Sequence, residues 1–378
     1  MCIRDRLKRP SRGIYRGYTH VDAFFEPDEK EEQGSKPPKV LRPGPSEEII
    51  RKIQGMVNKR VNSMAADPSG HPSGDRLILL ATACFERWAD AYGNKQVLNR
   101  IVKEVDFQYL EFKKNPEALQ KEWHGAGKTA EVVRILKAPL QNLIDQPVSG
   151  TSKDRRTAWK EMFLKSRNWH VQHRRAYSNQ TMIVDLNIYR CNEAIRALAP
   201  KEAWPPKVAI GLLHEAVGLE PWRGSWDENG NPDMAQGNNY FVLTQTGLSK
   251  ELGYVGGYGE IIHDLVREMY DATRRTPTSK GDPKIREQLA KIGRARLHFR
   301  YPHFDDVGYH CMRLESIVGW RDWKYPGDKI VYDQVPSRTG GPADIAYTTG
   351  DPVLIGMVQQ MAEAVSYTHL TLPTILLV

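Results

Sequence analysis

Three short segments hold the side chains best suited to acid–base or charge-neutralising chemistry. In the first, Arg174-Arg175-Ala176-Tyr177 leads through Ser178, Asn179 and Gln180 into the apolar run Thr181–Tyr189. Two amides at the start of a helix, with guanidinium groups just upstream, suit a carboxylate, because exposed N–H groups, the positive end of the helix dipole and neutral donors converge there. The alternative is that Ser178 or Asn179 only caps the helix. The second segment, Gly247 to Glu260, contains glycines at 253, 256, 257 and 259, which allow tight turns. Its reactive groups are Glu251, Tyr254, Tyr258 and Glu260, fit for proton transfer or for packing. In the third, His303 and His310 lie among Tyr301, Phe304 and Tyr309 as candidate acids, bases or packing residues.

Other fragments do not reach the same standard. Gly125-Ala126-Gly127-Lys128-Thr129 lacks the first glycine of a phosphate loop, since Glu122 stands there, and no apolar strand leads in. His170 and His173 have metal-ligand spacing without a third ligand in helical reach and read as a solvated face. No metal or other cofactor is expected. The acids Asp227, Glu228, Glu251 and Glu260 are the candidates if the chemistry is hydrolysis by paired carboxylates.

The elements that must position these groups are mostly helical. Ser46, Glu47 and Glu48 precede an amphipathic run ending near Met64. Apolar spacing then predicts helices over Leu77–Tyr92, Gln96–Phe112, Thr129–Ile144, Arg156–Arg167, Ser178–Leu198, Lys207–Gly218, Tyr258–Thr273, Pro283–His298, Asp305–Trp320 and Pro352–Ala364. Strand signals are confined to Tyr240–Thr244 and Ile330–Tyr332. The helix-poor stretch 219–257 carries Trp222, Trp226, Tyr240 and Tyr254, and a long aromatic loop in a helical array is a candidate binding segment.

The two ends read as one DNA sequence translated from opposite strands. Met1-Cys2-Ile3-Arg4-Asp5 can be encoded ATG TGT ATA AGA GAC, whose reverse complement encodes Val-Ser-Tyr-Thr-His, the residues from Val365 to His369. Residues 1–6 and 365–378 are therefore expected to derive from a library adapter on an assembled fragment, and play no part in the fold. Between them, residues 7–75 are expected to form an arm and a first helix, and 76–364 the helical domain, truncated from a longer protein.

The full chain has 378 residues, 26% of them charged, with 54 Lys and Arg against 46 Asp and Glu, a net charge of +8. That balance favours an anionic partner. Nucleic acid is not expected, because the basic residues are scattered without aromatic interleaving or a DNA-reading helix. Membrane insertion is not expected either, for want of an apolar run of about 18 residues. Cys84, Cys191 and Cys311 show no paired spacing and read as free buried thiols.

Taken together, Tyr177-Ser178-Asn179-Gln180 at a helix start, followed by Glu251-x-x-Tyr254-x-x-x-Tyr258, resembles the toroid domain of polysaccharide lyases of the heparinase II/III and alginate lyase type. The resemblance covers roughly residues 76–364 and implies an all-α fold, an incomplete (α/α) toroid of helical hairpins with few short strands. It implies a carbon–oxygen lyase, secreted or periplasmic, that cleaves a uronate-containing anionic polysaccharide by β-elimination. By resemblance, Asn179 neutralises the substrate carboxylate, Tyr254 or Tyr258 is the catalytic tyrosine, and His303 or His310 the later histidine. Gln180 stands where that family has histidine, which leaves the identity of the base open. Arg175, Gln180, Glu251, Trp222 and Trp226 are expected to bind substrate. A glycoside hydrolase on an (α/α) barrel and a non-catalytic glycan-binding scaffold are the alternatives.

Overall fold

The computed structural model describes residues 47–67, 70–72, 74–121, 123–249, 258–277, 279–298, 300–304, 310–314, 331–332 and 341–360. The chain is mainly helical, as expected, with a small three-stranded sheet. The described residues fall into two compact units, one within 42–242 and 268–285, the other within 243–267 and 286–378.

The larger unit opens with α1 (Glu47–Ala66) and α2 (Gly74–Ala83), followed by α3 (Lys95–Lys114) and the single turn α4 (Ala118–Lys121). Next come α5 (Gly127–Ile135), α6 (Arg155–Gln172), α7 (Ser178–Leu198) and α8 (Pro206–Ala216). Side chains fix where the helices begin. Asn94 accepts from the N–H groups of Gln96 and Val97 ahead of α3, and Asp154 from that of Thr157 ahead of α6. The main apolar core contains Leu77, Leu80, Ile101, Leu136, Trp159, Met162 and Phe163. Full burial of such a side chain is worth about 1.5–3 kcal/mol.

Helix α7 is the centre of this unit. It is buried nearly all round, and the buried set includes Asp185, Asn187, Arg190 and Asn192. Contacts of Arg174 with Asp185, Arg167 with Asn192 and Arg156 with the Leu198 carbonyl show α6 and α7 running antiparallel. Helix α5 instead runs parallel to α7, with Gly127 against Asn187 and Glu131 near Arg190. A Cβ at Gly127 would come 2.8 Å from the Asn187 Cα, so this crossing requires glycine. Together with the Lys128–Asp75 ion pair at 2.8 Å, that gives the Gly125–Thr129 segment a packing role.

In the smaller unit, β1 (Arg300–Phe304), β2 (His310–Leu314) and β3 (Val331–Tyr332) pair antiparallel in that order. Helices α9 (Tyr258–Ala272) and α10 (Pro283–Leu297) each have their first or last residues in the larger unit. Helix α11 (Gly341–Thr349) and a helix over 352–360 complete the described residues. Gly293 of α10 meets Ile345 and Leu354, and Arg294 pairs with Asp351 at 2.7 Å.

Several expectations need correction. The helix expected over Leu77–Tyr92 ends at Ala83 and gives way to turns closed by i to i+3 bonds such as Phe85 N–H to the Thr82 carbonyl. The one expected over Thr129–Ile144 ends at Ile135, shortly before Pro139, which lacks the N–H a helix needs. Residues 310–314, expected to be helical, form β2. Tyr240–Thr244 is not a strand, although Leu243 bridges to Ser249. Helix α11 was not anticipated. His170 is buried rather than on a solvated face, with Nδ1 2.7 Å from the Ser166 carbonyl, while His173 stacks on Trp169.

Candidate functional site

The turn between α6 and α7 and the start of α7 hold three of the expected site residues, Arg175, Asn179 and Gln180, in the larger unit. The N-cap of α7 is Tyr177, whose side chain makes no capping bond. Ser178 does not cap either: its hydroxyl donates to the Val242 carbonyl at 3.1 Å. Asn179 occupies the second helical position and is buried. The first N–H groups of a helix have no intrahelical acceptor, so this end is a site of partial positive charge. The exposed Arg175 lies beside it and donates from Nη1 to Gln180 Oε1 at 3.2 Å.

A strap of residues 222–242 is fastened over this turn. The Tyr240 hydroxyl donates to the Ala176 carbonyl at 3.1 Å, and the Trp222 N–H to the Tyr240 carbonyl at 2.7 Å. Trp222 is buried, edge-on to Tyr240 at 6.1 Å, with the Arg174 guanidinium 5.4 Å from its ring. The Trp226 N–H donates to the Val171 carbonyl at 2.9 Å.

Beneath the turn lies a buried charge cluster that sequence inspection did not single out. Arg174 grips Asp185 through two bonds of 2.7 and 2.8 Å, reaches Glu215 at 3.0 Å and donates to the Gly224 carbonyl at 2.7 Å. Arg223 also pairs with Glu215, at 2.5 Å. Burial pushes the Asp185 carboxyl up to about 6, with Arg174 opposing the rise. Burial alone would lower Arg174, but Asp185 and Glu215 more than offset it and hold the guanidinium protonated. A consecutive pair, Arg174 and Arg175, thus divides its labour, one clamping the turn from inside and the other facing solvent.

On the other side of Trp226, a cleft of ≈460 Å³ is lined by Arg167, Asn168, Gln172, Trp204, Trp226 and Asp227, among others. The Trp204 and Trp226 rings lie 5.4 Å apart at 33°. Asp227 is exposed, and its carboxylate accepts from the N–H groups of Asn229 and Asn231 and from the Asn231 amide. These bonds, those from Asn231 foremost, hold it below the usual carboxylate range. It is therefore an anion engaged by its own turn, a poor general acid. Glu228 is exposed in the same turn.

The remaining expected residues belong to the smaller unit or fall outside the described residues. Tyr258 is the first residue of α9. His303 is opposite Cys311, and His310 opposite Phe304, so both histidines are on the β1–β2 ladder, one register step apart. Glu251 and Tyr254 lie outside the described residues, as do 305–309 and 315–320. Among the described residues, no group of three or more His, Cys, Asp or Glu side chains is placed to hold a metal ion. No described helix is long and apolar enough to cross a membrane.

No family model matches the chain, and no curated protein matches it in sequence. Among solved structures, it is similar to the X-ray structure of the Streptomyces coelicolor A3 chondroitin AC lyase in complex with chondroitin sulphate, at a TM-score of 0.37 and 14% identity. The match covers 75% of this chain and 35% of that one, so the chain spans about a third of that protein's length.

Proposed function

We propose that this protein is a polysaccharide lyase-like enzyme acting on a uronate-containing anionic polymer, its helical hairpins belonging to an incomplete (α/α) toroid. The observation that carries the reading is the start of α7. The N-cap residue Tyr177 makes no side-chain capping bond and the Ser178 hydroxyl is engaged with the Val242 carbonyl, so capping by these two does not account for the Tyr177-Ser178-Asn179-Gln180 sequence. An amide and an exposed guanidinium beside a positive helix end form a receptor for a carboxylate.

The chemistry asked of such a receptor is specific. Removing the C5 proton of a uronate builds negative charge on its carboxylate, and donors at Asn179 and Arg175 stabilise that charge as it forms. A tyrosine can take the proton if its phenolate is favoured, and can return it to the leaving oxygen as the C4–O bond breaks. By the resemblance, Tyr254 or Tyr258 is that tyrosine, with His303 or His310 as the accompanying group. The state of Asp227, anionic and engaged by its own turn, counts against that residue as the general acid of a paired-carboxylate hydrolysis.

The test is incubation with a panel of uronate polymers while following the ultraviolet absorbance of the 4,5-unsaturated product. Absorbance that grows with wild type and is lost in Asn179→Ala and in Tyr258→Phe or Tyr254→Phe is the expected result. New reducing ends without that absorbance would establish hydrolysis instead, and neither signal with any polymer would reduce the protein to a binding scaffold.

A further inference from the structure

Arg167 is a buried cation, 5% exposed, with no ion-pair partner among the described residues, Glu202 acting on it only at longer range. Its Nε donates to Asn168 Oδ1 at 3.1 Å, and its Nη1 to Asn192 Oδ1 at 3.0 Å and the Glu202 carbonyl at 3.3 Å. These acceptors are all neutral. Nη2 donates to none of the described residues. Burial lowers the guanidinium to about 10, still protonated at neutral pH. The other strongly buried arginines of this unit behave differently: Arg174 pairs with Asp185 and Glu215, Arg190 with Glu268. A buried charge is expensive unless it is paired, so this one calls for an anionic partner beyond those the described residues supply.

The surroundings describe that partner. The Arg167 guanidinium lies 4.3 Å above the Trp204 ring, which fixes its plane at the wall of the ≈460 Å³ cleft. Asn168 spends its Oδ1 on Arg167, leaving its NH2 group as a donor. Trp226 Nε1 is buried at the same wall with no acceptor among the described residues. Unmatched donors thus gather around two indole rings. A flat apolar surface beside a cation and amide donors suits a sugar ring carrying an anionic oxygen group, since the ring face stacks and the anion takes the fork of the guanidinium. The opposing charge of Asp227 is at the exposed rim, tied to Asn229 and Asn231.

We infer that the cleft between Trp204, Trp226 and Arg167 binds one acidic sugar unit, through its carboxylate or sulfate group, at a place separate from the start of α7. This draws on the carbohydrate part of the proposed function and does not depend on elimination. It is tested on the full chain by calorimetric titration with three short oligosaccharides of equal length: a hexuronate, its carboxyl-reduced form and a sulfated neutral one. The hexuronate or the sulfated sugar, whichever group the cleft prefers, should bind about tenfold or more tightly than the uncharged form. Arg167→Gln should remove that preference, and Trp204→Ala should weaken every ligand. Because Arg167 also braces Asn192, Gln172→Glu provides a second arm: it adds a negative charge at the cleft and leaves those bonds intact, and it should weaken charged ligands selectively. Equal binding of charged and reduced sugars, or unchanged preference in both Arg167→Gln and Gln172→Glu, would overturn the inference. Binding without any unsaturated product would sink the lyase reading alone, while unsaturated product with no effect of these variants on binding would sink this one alone.

Discussion

Replacing Arg174 with methionine tests whether the turn ahead of α7 is held by a buried charge rather than by packing. The change keeps most of the side-chain volume and removes the guanidinium from contact with Asp185, Glu215 and the Gly224 carbonyl. All three side chains in the cluster are fully buried, so no water replaces the lost partner. Glu215 retains Arg223 at 2.5 Å, whereas the Asp185 carboxylate loses both of its bonds to a guanidinium. Removing one partner of a buried pair costs about 3–5 kcal/mol, which for a unit of this size lowers the melting temperature by on the order of 10 °C. The pH dependence follows from the direction of the Asp185 shift. Its folded value, about 6, is above the ordinary aspartate value of 3.8, so the folded form gains protons over the unfolded one as pH falls through that interval. Stability from this group therefore rises as pH drops from above 6 towards 4. Without Arg174 the carboxyl rises further, so the loss in Arg174→Met should be largest near pH 8 and shrink by pH 5. Thermal melts followed by circular dichroism at both pH values measure it. The double variant Arg174→Met/Asp185→Asn should recover part of the loss, because no charge is then stranded. A loss below about 1 kcal/mol, or one independent of pH, would refute the reasoning.

Two further outcomes follow from packing and burial. Gly127→Ala should destabilise the larger unit by about 1–3 kcal/mol in urea unfolding, because its Cβ would meet the Asn187 backbone where α5 and α7 cross; an unchanged midpoint would show that the helices separate freely. Burial pushes the Cys191 thiol up to about 12 and that of Cys84 to about 11, so at pH 8 alkylation resolved by peptide mass spectrometry should spare both in the native protein and label both in urea.

The sequence made some of this legible and hid the rest for physical reasons. Ser178–Leu198 was readable as a helix to the residue, because its apolar run is long and its start is marked by polar groups. Thr129–Ile144 was over-extended because Leu136, Leu140 and Ile144 continue the helical spacing and are indeed buried, although beyond Ile135 turns rather than helix bury them. Asp305–Trp320 misled because a short apolar run fits either period, and only pairing with Arg300–Phe304 makes His310–Leu314 a strand. At the site, Asn179, Arg175 and Gln180 are neighbours in sequence and could be found together. Arg167, Trp204 and Trp226 come from separate segments, and nothing in a sequence reports that a particular arginine lacks a carboxylate. The burial of His170 is hidden for the same reason, since Gly125 closes on it from a separate segment.

The polar residues of α7 also bear on how many ways the chain can be assembled. Asp185 fits only Arg174, Asn192 meets Arg167 and the Trp204 N–H, and Arg190 meets Glu268. These partners arrive from different directions and different parts of the chain. Rotating α7 by one residue, or sliding it by one turn, would break every one of these bonds at once, whereas an all-leucine helix would accept many neighbouring settings. The buried polar set thus acts as an index for α7: it admits one rotation and one height, and the donors at Asn179 inherit that single setting.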